Sequence, residues 1–326
     1  MVSVPPLESI CNKFLQVNDT NKLPAEESSN TSFCKDCELP LIDVVHLYHK
    51  DDCRNVECKR RIADAAKVWG FFQIINHGIP RDVLIRMQSE QRKLFEKPFE
   101  EKIISSSSGS CYRWGNPTAM SLQEFSWSEA FHLPLCHVPS LSSSGLNEFT
   151  EQVSNIAQRI SEILAESLGC KSTLFAEICS QNSSYVRLNR YPPCPNFPKA
   201  YGLIPHTDSD FLTVLYQDQL GGLQLLKDGE WINVNPNQDV LIINVGDLFE
   251  AWSNGFYKSI KHRVVTNPVA ERQSIAYFLC PTHETVIQSY CSPSLYRKFS
   301  FGEYRKQIQE DVKSTGTKIG LPKFLK

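Results

Sequence analysis

His206, Asp208 and His262 offer two neutral imidazoles and one carboxylate, the ligand set of a facial iron(II) site with open coordination positions. Open positions on such a metal suit dioxygen chemistry, so these three residues predict an oxygenase. Leu203 to Val214 alternates in character and is rich in Leu, Phe, Val and Thr, which reads as extended chain. His206 and Asp208, two apart on it, are then expected to project from one face. His262 comes from a second strand-like stretch, Ser259 to Val265, and only a fold that returns the chain brings it alongside. An antiparallel barrel does this. Taken singly, a histidine in an apolar strand is more often a hydrogen-bonded core residue than a ligand, and His-x-Asp alone is common.

The set gains weight from Arg272 and Ser274, which share one strand face. They follow His262 after Thr266 to Glu271, a stretch read as a hairpin turn around Asn267-Pro268. A guanidinium fixed near a metal suits a cosubstrate with two carboxylates, one on the iron and the other paired bidentately with arginine. The small diacid 2-oxoglutarate fits that geometry.

Together, Asn189-Arg-Tyr191-Pro-Pro-Cys, His206-Thr-Asp208, His262 and Arg272-Gln-Ser274 resemble the plant iron(II)- and 2-oxoglutarate-dependent dioxygenases, from about Leu39 to about Leu295. The resemblance implies that His206, Asp208 and His262 hold iron, with Arg272 alongside them in catalysis. It implies that Arg272 and Ser274 bind the distal carboxylate of 2-oxoglutarate and that Asn189 and Tyr191 line the same pocket. It also implies dioxygen as a reactant and ascorbate to keep the iron reduced. Within the family, the stretches beginning at Asn189, Gly202, Gly246 and Ala276 are most similar to gibberellin 2-beta-dioxygenases, which hydroxylate carbon 2 and inactivate the hormone. Trp127-Ser-Glu-Ala-Phe131-His resembles the subgroup acting on 20-carbon gibberellins. A diterpenoid acid needs an apolar pocket with a cationic or hydroxyl partner for its carboxylate. Tyr112, Trp127 and Phe131 are candidates for part of that wall, or else plain core. The rival readings are a gibberellin 3- or 20-oxidase, a flavonoid oxygenase, or a catalytically silent barrel that binds a small molecule.

Composition narrows the classes. In 326 residues, 41% hydrophobic side chains supply ample core, and 34 basic against 36 acidic groups leave a net charge of −2 without a basic block. Neither nucleic acid nor a membrane is expected as a partner; a small molecule is. The purest apolar run, Val240 to Val245, is too short to span a bilayer, and the N-terminus lacks a secretory pattern, so a cytoplasmic location is expected. Twelve cysteines then read as reduced thiols. Cys34, Cys37, Cys53 and Cys58 are the best zinc alternative, but the second pair is too widely spaced and a strand-like segment separates the two.

The elements that must position the site can be read in turn. Residues 1–37 are polar, without sustained period, and read as a flexible lead-in. A mixed helical region is expected over 38–180, an oxygenase core over 181–300, and a C-terminal helix and tail over 301–326. Helices are predicted from Cys58 to Trp69, Arg81 to Glu96 and Asn147 to Leu168, with a mobile loop from Ile103 to Gly115. His77, after the strand Phe71 to Ile75, reads as structural. From Tyr185 the chain turns to short strands, including a hairpin through Asp228-Gly229. The fold class is mainly β with flanking helices: a double-stranded β-helix, jelly-roll or cupin-like, behind an α/β N-terminal region.

Overall fold

The structure, a computed structural model, describes residues 4–20, 36–48, 53–104, 112–116, 119–138, 144–171, 173–179, 183–195 and 200–326. The N-terminal part supplies α1 (Leu7–Thr20), β1 (Asp36–Cys37), β2 (Leu41–Asp43), α2 (Cys53–Trp69), β3 (Phe71–Ile75), α3 (Arg81–Glu96) and α4 (Phe99–Ile104). It continues with β4 (Tyr112–Trp114), β5 (Glu129–Pro134), α5 (Ser144–Ser167) and α6 (Leu174–Ile178). Then come β6 (Tyr185–Tyr191), β7 (Tyr201–His206), β8 (Leu212–Gln217), β9 (Leu223–Lys227), β10 (Glu230–Val234), β11 (Val240–Val245) and α7 (Asp247–Trp252). The chain closes with β12 (His262–Val265), β13 (Arg272–Leu279), β14 (Val286–Ile287), β15 (Phe299–Ser300) and α8 (Phe301–Thr315).

The larger sheet runs β2-β3-β11-β8-β13-β6-β5-β4 and the smaller β1-β10-β9-β12-β7. Their facing sides share an apolar cluster that joins Phe71 and Ile242 of the larger sheet to Leu223, Leu225 and Ile232 of the smaller. This is the expected jelly-roll core with flanking helices. β11 is buried along its whole length, which is why it reads as a continuous apolar run rather than an alternating one. The outer face of the larger sheet is covered by α5, whose stripe of Phe149, Val153, Ile156, Ile160 and Ile163 is buried, with α3 packed beside it. Asp228 and Gly229 both have positive φ, 51° and 84°, the type I′ geometry that matches the twist of a two-residue hairpin.

Four expectations are corrected. β12 belongs to the smaller sheet and β13 to the larger, so Thr266 to Glu271 crosses between sheets instead of closing a hairpin. Asn267 makes the turn: its side-chain Oδ1 accepts from the amides of Val269 and Ala270, both at 2.9 Å, and redirects the chain. Within the supposed lead-in, α1 is a helix whose Leu7 and Cys11 are buried against Phe125 and Trp127. Apolar residues Leu7, Ile10, Cys11, Phe14 and Leu15 do fall at helical spacing, a period masked by the polar tract that follows. Within the supposed mobile loop, Phe99–Ile104 is helical to its end and Tyr112–Trp114 is a strand; Ser105 to Ser110 lie outside the described residues. Finally, α2 begins at Cys53, so Cys53 and Cys58 stand on one helix; Cys34 is outside the described residues. His77 is buried and accepts the Ile79 amide at 3.2 Å, the structural role expected. Among the described residues, no helix is long and apolar enough to cross a membrane.

Candidate active site

Antiparallel pairing of β7 with β12 sets His206 directly opposite His262, the ring centroids 4.3 Å apart. Asp208 lies beyond the end of β7, in the turn before β8, so it reaches the pair by the turn and not by strand alternation as expected. Its Oδ1 is 3.6 Å from His206 Nε2 and 3.7 Å from His262 Nε2. One ligand atom from each residue lies within 4.8 Å of the others, a span one metal ion can bridge.

Each of the three is oriented by a further contact. His206 Nδ1 is 2.8 Å from the Ile204 carbonyl and His262 Nδ1 is 3.1 Å from that of Ile260. A carbonyl only accepts, so both Nδ1 atoms carry the proton and both Nε2 lone pairs face inward. Asp208 Oδ2 accepts from Thr213 Oγ1 at 2.7 Å and Asn244 Nδ2 at 2.8 Å, which leaves Oδ1 for the centre. Burial pushes Asp208 up, but the imidazoles of His262 and His206 beside it and the hydrogen bond from Asn244 outweigh it and lower the carboxyl below its usual range. Burial, then the proximity of His206, pushes His262 down to about 4, so it is neutral at neutral pH, as a ligand must be.

The turn carrying Asp208 is clamped from two directions. The amides of Asp247 and Leu248, which open α7, donate to the carbonyls of Asp208 and Asp210 at 2.9 and 3.0 Å. There Gly246 leaves no room for a side chain, since a Cβ would lie 2.1 Å from Asp210 Oδ1. From the C-terminal tail, Lys318 Nζ donates to the Thr207 carbonyl and to Ser209 Oγ, both at 2.8 Å, and pairs with Asp247 at 2.5 Å. Asp247 also accepts from Thr207 Oγ1 and Tyr304. It is thus the hub of this clamp, in keeping with its not being expected as a ligand.

Arg272, Ser274, Asn189 and Tyr191 converge on one patch because β13 pairs with β6 in a register that sets Arg272 against Tyr191 and Ser274 against Asn189. The Arg272 guanidinium lies 5.0 Å from the Tyr191 ring centroid and donates to Gln217 Oε1 at 2.7 Å. Tyr191 in turn packs against Gly202, where a Cβ would lie 2.7 Å from the ring. The buried Nε of Arg272, Asn189 Oδ1 and Gln217 Nε2 have no hydrogen-bond partner, and no carboxylate among the described residues pairs with Arg272. A buried guanidinium without an anion is costly, so this patch fits a small carboxylate ligand. These four residues share a cavity with Asp208 and His262.

Tyr112, Trp127 and Phe131 do not line that cavity. The pairing of β5 with β6 sets Phe131 against Leu188 and Ala130 against Asn189, so Phe131 faces the helices while Ala130 faces inward. Tyr112, opposite Phe131, shares the outer side, packing on Phe131 and donating to the buried Glu129. Phe131 meets Phe95 of α3 at 5.1 Å. Trp127 is pinned under α1, its Nε1 donating to the Pro192 carbonyl at 3.1 Å. The alternative given for these aromatics, plain core, describes their surroundings. Sequence reasoning missed Gln217, Thr213, Asn244 and Lys318. The first three are isolated polar residues within otherwise apolar strands and carry a readable signal; Lys318 sits in a polar tail and carries none.

Comparison with known proteins agrees with this geometry. Residues 182–281 match the 2OG-Fe(II) oxygenase superfamily, and residues 39–154 match the non-haem dioxygenase in morphine synthesis N-terminal family. The chain is 49% identical to gibberellin 2-beta-dioxygenase 8 of Arabidopsis thaliana, covering 98% of each. It is 46% identical to gibberellin 2-beta-dioxygenase 6 of Oryza sativa subsp. japonica over 89% of this chain and 85% of that one. Among solved structures, JOX2 in complex with 2OG, Fe and JA superposes with a TM-score of 0.78 at 28% identity, covering 99% of this chain and 98% of that one.

Proposed function

The chain belongs to the 2OG-Fe(II) oxygenase superfamily, and from that premise we propose that it 2-beta-hydroxylates gibberellins, 20-carbon forms by preference, in the cytoplasm. It is a 2-oxoglutarate-dependent dioxygenase that uses iron(II). In our reading His206, Asp208 and His262 hold the metal, and Arg272 with Ser274 receives the distal carboxylate of 2-oxoglutarate beside Asn189 and Tyr191. When bound, iron(II) with 2-oxoglutarate supplies an oxidation in which dioxygen gives one atom to the substrate carbon and one to succinate, with loss of carbon dioxide. The protein's own part is placement. The two Nδ1 contacts fix the imidazoles, Thr213 and Asn244 fix the carboxylate, and Arg272 fixes the far end of the cosubstrate. Apolar side chains from both sheets, Phe71, Leu203, Leu223, Val264 and Phe278, keep water from the reacting centre.

The observation that carries the proposal is that the His-Asp-His set opens, through Asp208 and His262, on the same cavity as a buried arginine that lacks an anion among the described residues. Gibberellin as substrate rests on the likeness to the two named 2-beta-dioxygenases. Its test is incubation with iron(II), 2-oxoglutarate, ascorbate and air, given 20-carbon and 19-carbon gibberellins separately. A 2-beta-hydroxylated product, formed faster from the 20-carbon acid, is expected. Oxidation at carbon 3 or 20, or of a flavonoid alone, would replace this substrate assignment.

A further inference from the structure

The alternation of β6 and β13 makes their inner faces a ruler. The register sets four inward rows: Arg272 with Tyr191, Ser274 with Asn189, Ala276 with Arg187, and Phe278 with Tyr185. The first two rows form the orphaned carboxylate patch described above. Arg187 stands four residues from Tyr191 along β6, about 13 Å at the usual rise of a strand. That span carries it past the place where a five-carbon diacid ends. Its row continues to Leu215 on β8 and His132 on β5, and Arg187 lines the same cavity as Asp208 and His262.

Among the described residues nothing accounts for a cation there. Arg187 Nε is buried without a hydrogen-bond partner, and no carboxylate among the described residues pairs with the guanidinium. This is the signature Arg272 shows at the other end of the ruler. Further charge gathers at the same place. His132 stacks on Tyr185 at 5.9 Å and Tyr185 on Phe278 at 4.6 Å, an aromatic stack whose last ring, Phe278, lines the cavity. Burial, then the charges of Arg187, Arg113 and Arg305, keep His132 well below its usual range and therefore neutral. The acids felt at Tyr185 are Asp208 and Asp210, and both are engaged by Thr213 within the metal turn. This part of the cavity is thus cationic and aromatic, and among the described residues no carboxylate pairs with its arginine.

We propose that Arg187 receives a carboxylate of the substrate, whose apolar skeleton lies against Phe278 and Leu215, and that this contact selects organic acids. The identity of the acid rests on the gibberellin reading; the class of ligand does not.

Two measurements separate the two claims. In protein loaded with manganese(II) and 2-oxoglutarate, which does not turn over, calorimetry compares 1-adamantanecarboxylate with its uncharged carboxamide. The acid is expected to bind ~10- to 100-fold tighter, the worth of a charge-assisted pair. The gap should vanish in Arg187→Met and partly return in Arg187→Lys, with 2-oxoglutarate affinity unchanged in both. Equal binding of acid and amide by the wild type, survival of the gap in Arg187→Met, or a loss confined to 2-oxoglutarate overturns the proposal. With iron(II) and air, a gibberellin and its methyl ester are then compared by kcat/KM. A preference for the free acid that Arg187→Met abolishes supports both claims. If the adamantane gap is present and no gibberellin is oxidised, the substrate assignment fails and the carboxylate site stands. If gibberellin is oxidised with no preference over its ester, the site fails and the assignment stands.

Discussion

The two ends of the cavity are finished to different degrees. At the metal corner the groups that orient each ligand are already paired, Nδ1 of both histidines to carbonyls and Asp208 Oδ2 to two donors. At the Arg272 end, three buried polar atoms on three residues are left open, each costing about 1–3 kcal/mol while unpaired. The metal corner is therefore preorganised, whereas the arginine end is completed only when an anion arrives. Binding energy from that anion goes into relieving an existing penalty, which favours a charged cosubstrate over a neutral one of the same shape.

The contrast can be broken most severely at Asp208. Asp208→Ala removes the carboxylate both imidazoles face, and iron(II)-dependent succinate release should fall to background while circular dichroism stays native. A variant that kept turnover would show that the corner is not the metal site. Arg272→Met comes next. Losing one partner of a buried charge pair costs about 2–5 kcal/mol, so the KM for 2-oxoglutarate should rise roughly 30-fold or more, with iron(II) affinity unchanged. Parallel loss of both affinities would erase the distinction between the two ends. Asn244→Ala tests preorganisation itself: removing an outer hydrogen bond to a ligand should weaken metal binding by ~10- to 100-fold, read by competition with a chelating dye, while leaving 2-oxoglutarate affinity intact. The smallest effect on activity is expected at Phe131→Leu, which should cost about 0.5–3 kcal/mol of stability and leave every KM as it was. A rise in substrate KM there would restore Phe131 to the pocket wall.

Local signals in the sequence were the readable ones. The helix Arg81–Glu96 has the bounds its apolar spacing and Pro98 predict, and the Asp228-Gly229 hairpin is where its turn chemistry places it. The meeting of His206, Asp208 and His262 was legible from residue types alone. The manner of their meeting was not, because Asp208 acts from a turn and β12 and β13 diverge into different sheets. A turn signal such as Asn267-Pro268 marks where the chain bends, and says nothing of which sheet it bends toward. The aromatics failed for a related reason. Tyr112 and Phe131 are large and apolar, but one step of strand parity decides between cavity and core, and that parity depends on pairing with β6. Lys318 was invisible because its partners lie far away in sequence.

That separation has a bearing on how the protein matures. Lys318 reaches back 111 positions to the carbonyl of Thr207, between His206 and Asp208. During synthesis all three ligand residues emerge well before the lysine that braces their turn. A nascent chain, or one clipped after Thr315, carries the complete His-Asp-His set with the Asp208 turn still missing its strut. On such a chain the Asp208 turn lacks both 2.8 Å contacts that Lys318 makes, to the Thr207 carbonyl and to Ser209 Oγ. The brace on that turn thus leaves the ribosome after all three of the residues it serves.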